Sequence, residues 1–161
     1  MKINRSFKEF KFRHRNNENQ IIYTSKKVKT DKEIINLIDN FLTEKNSFIF
    51  ESVEKGKIRG RYTIFGKNPD KIWEFNNNNS YLIKKNKKIK LKDKPKYLIE
   101  KIIEDFKFKT PNKLPKICSL ISGYFSYDAI RYIEKIPNSC NDDLKLPDVR
   151  LLRPRTLIIH D

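Results

Sequence analysis

The sequence predicts an α+β fold with a mostly antiparallel sheet and two to three flanking helices. Two stretches carry apolar residues at helical spacing, and several short β-prone runs follow one another through tight turns. Crossover helices separate the strands only once or twice, so hairpin pairing dominates. At 161 residues the chain is one domain by the usual prior, large enough for a real core.

Taken in order, residues 1–20 are basic and polar, and only Phe7, Phe10 and Phe12 offer packing material. They are read as a poorly ordered or loosely packed segment preceding a folded domain over 21–161. Ile21 to Thr24 is expected as a short edge strand. Thr30-Asp31-Lys32-Glu33 has the form of a capping box. Ile34, Leu37, Ile38, Phe41 and Leu42 then give an amphipathic helix that Lys45-Asn46 closes. Phe48 to Val53 and Arg59 to Gly66 form a strand pair around a charged bend, Glu54 to Lys57.

Asn68-Pro69-Asp70 is a turn signal. Lys71 to Phe75 and Tyr81 to Lys84 flank the Asn76–Asn79 run as a hairpin, with a third strand through Lys87 to Leu91. Pro95 opens a second helix, striped by Leu98, Ile99, Ile102, Ile103 and Phe106. Thr110 to Pro115 is a loop. Ile117 to Ser126 is apolar and leads into a short helix from Tyr127, stopped by Pro137. After a polar loop, Leu157 to Asp161 read as a strand, expected at a sheet edge.

The 36 basic and 20 acidic residues leave a formal charge of +16, for which a nucleic-acid partner is the first reading. Composition supplies another. Lys, Asn, Ile and Phe share A/T-rich codons, and the chain has a single alanine, Ala129. An A/T-biased genome would place lysines on solvated positions with no phosphate to bind, so nucleic acid is not the expected partner. A positive field would still draw small anions or an acidic subunit. Met1 to Asn19 lacks a signal-peptide apolar core, and no stretch is long enough to span a bilayer. The expectation is a soluble cytoplasmic protein without membrane contact. Cys118 and Cys140 would then be reduced packing residues.

Glycine-rich phosphate loops, Cys-x-x-Cys, His-Glu-x-x-His and Gly-x-Ser-x-Gly are all missing, so no catalytic residue and no metal ligand is assigned. His14, His160 and the Asp142-Asp143 pair sit in polar surroundings and suggest no site. What stands out is Glu51-Ser52, a carboxylate and a hydroxyl in an aromatic strand. A ligand bearing an ammonium and a carboxylate would suit Glu51, Ser52 and an arginine, Arg59 or Arg61. Alternatively, Ser52 caps a turn and Glu51 pairs with Arg59 or Arg61 across the hairpin. The residues alone leave both open.

Two ordered blocks carry a resemblance. Phe48-Ile49-Phe50-Glu51-Ser52-Val53-Glu54 with Gly60-Arg61-Tyr62-Thr63-Ile64-Phe65-Gly66 resembles the N-terminal domain of anthranilate synthase component I. So does Gly123-Tyr124-Phe125-Ser126-Tyr127-Asp128-Ala129-Ile130-Arg131-Tyr132-Ile133-Glu134, continued by Leu146-Pro147-Asp148 and Arg153 to Asp161. The paralogous 4-amino-4-deoxychorismate synthase component I shares Phe-Ser-Tyr-Asp but usually departs around Ala129 to Ile133, so the anthranilate branch is preferred.

The resemblance implies an enzyme that makes anthranilate and pyruvate from chorismate and ammonia with Mg²⁺, the ammonia coming from a glutamine amidotransferase, component II. Chorismate and metal would be held by a separate catalytic domain, so this chain by itself is expected to be inactive, as a fragment or split chain. Its implied part is tryptophan feedback inhibition, with Ser52 a recurrent contact of the effector L-tryptophan. Glu51, Phe50 and Arg61 join it as candidate tryptophan-binding residues. Ile49-Phe50 replaces the family's Leu-Leu, and Leu120-Ile121-Ser122 its Gly-Gly. A stand-alone tryptophan sensor and a small nucleic-acid-binding protein are the rival expectations.

Overall fold

The computed structural model describes residues 3–16, 18–51, 61–106, 110–137, 139 and 141–161. The chain opens with helix α1 (Phe7–Arg15), whose first turn is capped where the Glu9 N–H donates to Ser6 Oγ at 3.3 Å. None of its described residues is buried. The expected strand at Ile21 to Thr24 does not form. Asn4 ties this stretch, exchanging bonds of 3.1 and 2.8 Å with Tyr23 and donating from its side-chain amide to the Ile21 carbonyl at 3.5 Å. Bonds to one residue are not a ladder.

Helix α2 (Asp31–Phe41) starts at Thr30 as expected, but the capping box is not made. Glu33 turns outward to Lys26 Nζ at 2.9 Å, and its N–H donates to the Thr30 carbonyl at 3.1 Å. The sheet then builds from β1 (Phe48–Phe50), β2 (Thr63–Asn76), β3 (Asn79–Lys84) and β4 (Lys87–Leu91). Helix α3 (Pro95–Asp105) begins with proline at its first turn, where the missing N–H costs nothing. After a 3₁₀ turn, Lys116–Cys118, come β5 (Ser122–Phe125), a 3₁₀ helix (Tyr127–Tyr132) and β6 (Val149–His160). The strand order is β4-β3-β2-β6-β5, with β1 on the same edge of β2 as β3, and every pairing is antiparallel.

Two expectations are corrected. Asn68-Pro69-Asp70 is not a turn between strands but a bulge inside β2. Pairing with β6 runs from Thr63↔His160 to Phe75↔Val149, slipping by one residue between Pro69 and Lys71. Asn68 takes φ 53° and Pro69 has no N–H to give, which are a turn's requirements met within a strand. The last strand is also longer than expected. It starts at Val149 and is central, between β2 and β5, over Val149 to Leu152. Over Leu157 to His160 its one partner among the described residues is β2, so that part is an edge as expected.

The bulge organises the layers. Side chains alternate along a strand, and the extra residue inverts the alternation. Phe65, before the bulge, therefore faces one side, where Phe41 of α2 meets it edge-on at 5.7 Å. Trp73 and Phe75, beyond it, face the other, packing with Val149, Leu151 and the α3 residues Leu98 and Ile102. One helix thus covers each face.

Asparagine does much of the work usually given to glycine. The β2–β3 turn carries Asn77 and Asn78 at φ 47° and 63°, the β3–β4 turn Lys85 and Asn86 at 48° and 60°. Both are two-residue hairpin turns needing positive φ, which asparagine tolerates best among side-chain-bearing residues. The two described glycines stand where space is short, and Gly123 has a positive φ of 158° as well. At Gly66 the Phe48 ring occupies the place of a Cβ, which would lie 2.1 Å from it. At Gly123 a Cβ would lie 2.0 Å from the Arg150 carbonyl oxygen.

Candidate functional site

The two sequence blocks fall at opposite ends of the β2–β6 pair. The block around Tyr124 to Glu134 is absorbed into structure. The Tyr132 hydroxyl donates to Asp148 Oδ2 at 2.5 Å, and the Asn77 N–H of the β2–β3 turn donates to the same oxygen at 3.0 Å. The Asp148 carbonyl accepts from the Ser126 N–H at 2.8 Å. Arg131 bonds Asp128 at 2.9 Å and reaches the carbonyls of Ile136 and Pro137 at 2.9 and 2.8 Å. Burial and then the Asp148 bond push the Tyr132 phenol far above its ordinary range, which fixes it as a donor.

Nearby, Glu74 Oε1 accepts from Arg150 Nε at 3.0 Å and Oε2 from Lys88 Nζ at 2.8 Å. Arg150 Nη2 also donates to Asn46 Oδ1 at 2.7 Å, tying the loop after α2 to the sheet. Burial pushes the Glu74 carboxyl up, but its two cationic partners outweigh this and hold it below the usual range. At the bulge, Arg153 Nε donates to Asp70 Oδ1 at 2.7 Å and Nη2 to Oδ2. Desolvation again acts upward on Asp70 and is overcome by this fork-to-fork pair. The shallow cleft between Asn68, Lys84, Lys85 and Arg155 borders it.

The other end gathers the sequence-predicted site residues. Phe50 pairs with Ile64 and Thr63 with His160, so β1 finishes, β2 starts and β6 finishes at one end of the sheet. Glu51 directly follows β1 and is exposed. Phe50 is half-exposed, its ring tilted against Phe48 at 4.8 Å. Arg61 precedes β2, and Ser52 and Arg59 lie outside the described residues, as do the rest of the bend and Cys140.

Arg61 does not take Glu51 as its partner. Its Nε and Nη2 donate to the two carboxylate oxygens of Asp161, the second at 2.7 Å. The paired hydrogen bonds hold the Asp161 carboxyl below and the Arg61 guanidinium above their ordinary values. Sequence reading missed Asp161 because the two residues are 100 positions apart. Only the β2–β6 register joins them.

Elsewhere, His14 stacks on Phe10 in α1 at 5.8 Å, and burial pushes the Cys118 thiol up, as for a packing residue. Among the described residues no group of three acidic, histidine or cysteine side chains could hold a metal ion. No described helix is long and apolar enough to cross a membrane.

No family model matches the chain. Curated relatives do. It is 30% identical over 161 aligned positions to anthranilate synthase component 1 of Cereibacter sphaeroides, covering 97% of this chain and 32% of the relative. It is 32% identical over 143 positions to anthranilate synthase component 1 of Acetivibrio thermocellus, covering 88% of the chain and 29% of the relative. With anthranilate synthase alpha subunit 2, chloroplastic, of Arabidopsis thaliana the identity is 33% over 126 positions, covering 71% and 20%. The chain thus spans about a third or less of these relatives' length. By these matches the chain belongs with the anthranilate synthase component I sequences, as a counterpart of their N-terminal region.

Proposed function

We propose that the chain is the regulatory N-terminal domain of anthranilate synthase component I and carries part of a tryptophan feedback site. The reading is supported by one juxtaposition in particular. The β1–β2–β6 register sets Glu51 and Arg61 at the same end of the sheet, with half-exposed Phe50 beside them. An amino acid bearing an aromatic side chain needs a carboxylate for its ammonium, a guanidinium for its carboxylate and an apolar surface for its ring. Glu51, Arg61 and Phe50 supply these in turn, and Ser52 follows directly in sequence.

In this reading the domain docks on a chorismate-converting domain, which is served with ammonia by a glutamine amidotransferase component II and holds chorismate and Mg²⁺. None of the described residues here is assigned to the metal or to the reacting bonds. Tryptophan favours a state with poor chorismate turnover, through a coupling of about 1–3 kcal/mol, or roughly 5–150-fold in apparent affinity. The test is Ser52→Ala in the assembled enzyme, with the melting temperature as a folding control. The tryptophan concentration giving half inhibition should rise severalfold. Unchanged inhibition would sink the assignment.

A further inference from the structure

The contact between Arg61 and Asp161 has a geometry that bears on how a ligand would be held. Guanidinium presents five N–H donors in a plane, arranged as two forks. Asp161 takes the fork made by Nε and Nη2. Tyr62 lies against one face, its ring centroid 5.1 Å from the Arg61 Cζ. One edge and one face are therefore fixed. The second fork, made by Nη1 and the outer N–H of Nη2, meets no partner among the described residues. Both side chains are half-exposed, at 50% each, so that free edge is open to a solute.

We propose that Asp161 is a positioning residue: it clamps Arg61 by its inner edge so that the outer edge receives the carboxylate of an amino-acid ligand. This rests on the tryptophan reading given above and adds a residue to it. A free arginine side chain loses much rotamer freedom on binding an anion. One already held by a carboxylate and a ring loses less, and the ligand gains the difference as affinity. The clamp also keeps the pocket selective, because a second carboxylate fits only at the remaining fork. The same arrangement explains why Glu51 is left without Arg61 and stays available to an ammonium.

The experiment uses the intact enzyme that contains this chain and reads the L-tryptophan concentration giving half inhibition. Asp161→Asn keeps the shape but sets an amide N–H₂ against a guanidinium donor, breaking the bidentate clamp. It should raise that concentration by about tenfold, the equivalent of one well-placed hydrogen bond. A purely structural ion pair would be restored by swapping the residues, Arg61→Asp with Asp161→Arg. The proposal instead expects the swap to remain insensitive, because the guanidinium now starts from the wrong strand. Wild-type sensitivity in Asp161→Asn, or recovery in the swap, overturns it. If Ser52→Ala measured alongside also inhibits normally, the tryptophan reading itself has failed. If Ser52→Ala is desensitised while Asp161→Asn is normal, only the positioning role falls.

Discussion

The two ends of the β2–β6 pair, separated by roughly 40 Å of strand, spend similar-looking sequence on different ends. At one end the block from Gly123 to Glu134 is consumed by the fold. Tyr132, Asn77 and Ser126 converge on Asp148, Gly123 presses against the Arg150 backbone, and α3 closes over Trp73 and Phe75. At the other end the described polar residues that flank β1 and β2, Glu51 and Arg61, are exposed. Phe50 and Glu51 are exposed, and the Arg61–Asp161 pair is in solvent. Both blocks carry the family resemblance, yet only the block from Phe48 to Gly66 is assigned to a ligand in the proposed function. A motif is therefore a poor guide to function until its hydrogen bonds have been accounted for.

Three perturbations break or sharpen this contrast. The largest effect is expected from Phe75→Ala. Phe75 is fully buried in the cluster under α3, and its truncation should cost about 3–5 kcal/mol in urea unfolding. A loss below 1 kcal/mol would mean this end is not the anchored one. Tyr132→Phe comes next. It removes only the hydroxyl from Asp148, and about 1–2 kcal/mol should disappear with no change in fold by circular dichroism.

The smallest effect is on acid stability. Asp70 and Glu74 titrate below the usual carboxylate range when folded, so their contribution is complete above the unfolded value of about 4. It is lost as pH falls through the folded values. Both are partly solvent-screened, so each is worth on the order of 1 kcal/mol or less. Asp70→Asn should flatten part of the fall in urea midpoint below about pH 4, and Asp161→Asn, whose ion pair is solvent-screened, should flatten it less. Equal flattening by both would erase the distinction between the ends.

Local chemistry made much of the fold legible. Helical spacing found α2 and α3, Pro95 marked the start of the latter, and the Asn76–Asn79 run located a hairpin because positive φ suits asparagine. Apart from the strand expected at Ile21 to Thr24 and the capping box at Thr30, which did not form, the failures share one cause. A bulge and a turn make the same local demands, and only pairing with β6, more than 80 residues away, shows that β2 continues past Pro69. That same long-range pairing extends the last strand back to Val149 and gives Arg61 to Asp161. For the candidate site, the sequence pointed to Glu51-Ser52 as a polar pair in an aromatic strand with Arg59 or Arg61 beside it, and the resemblance added Phe50. The sequence could not show that an acidic residue at the far end of the chain would hold the arginine.

The central claim is that ligand sensing and structural anchoring are divided between the two ends. Its most direct test measures melting temperature and tryptophan inhibition together for Ser52→Ala and Tyr132→Phe in the assembled enzyme. The division predicts that Ser52→Ala loses inhibition at an unchanged melting temperature, while Tyr132→Phe melts lower with inhibition intact. The reverse pattern, or loss of both properties in both variants, would contradict it.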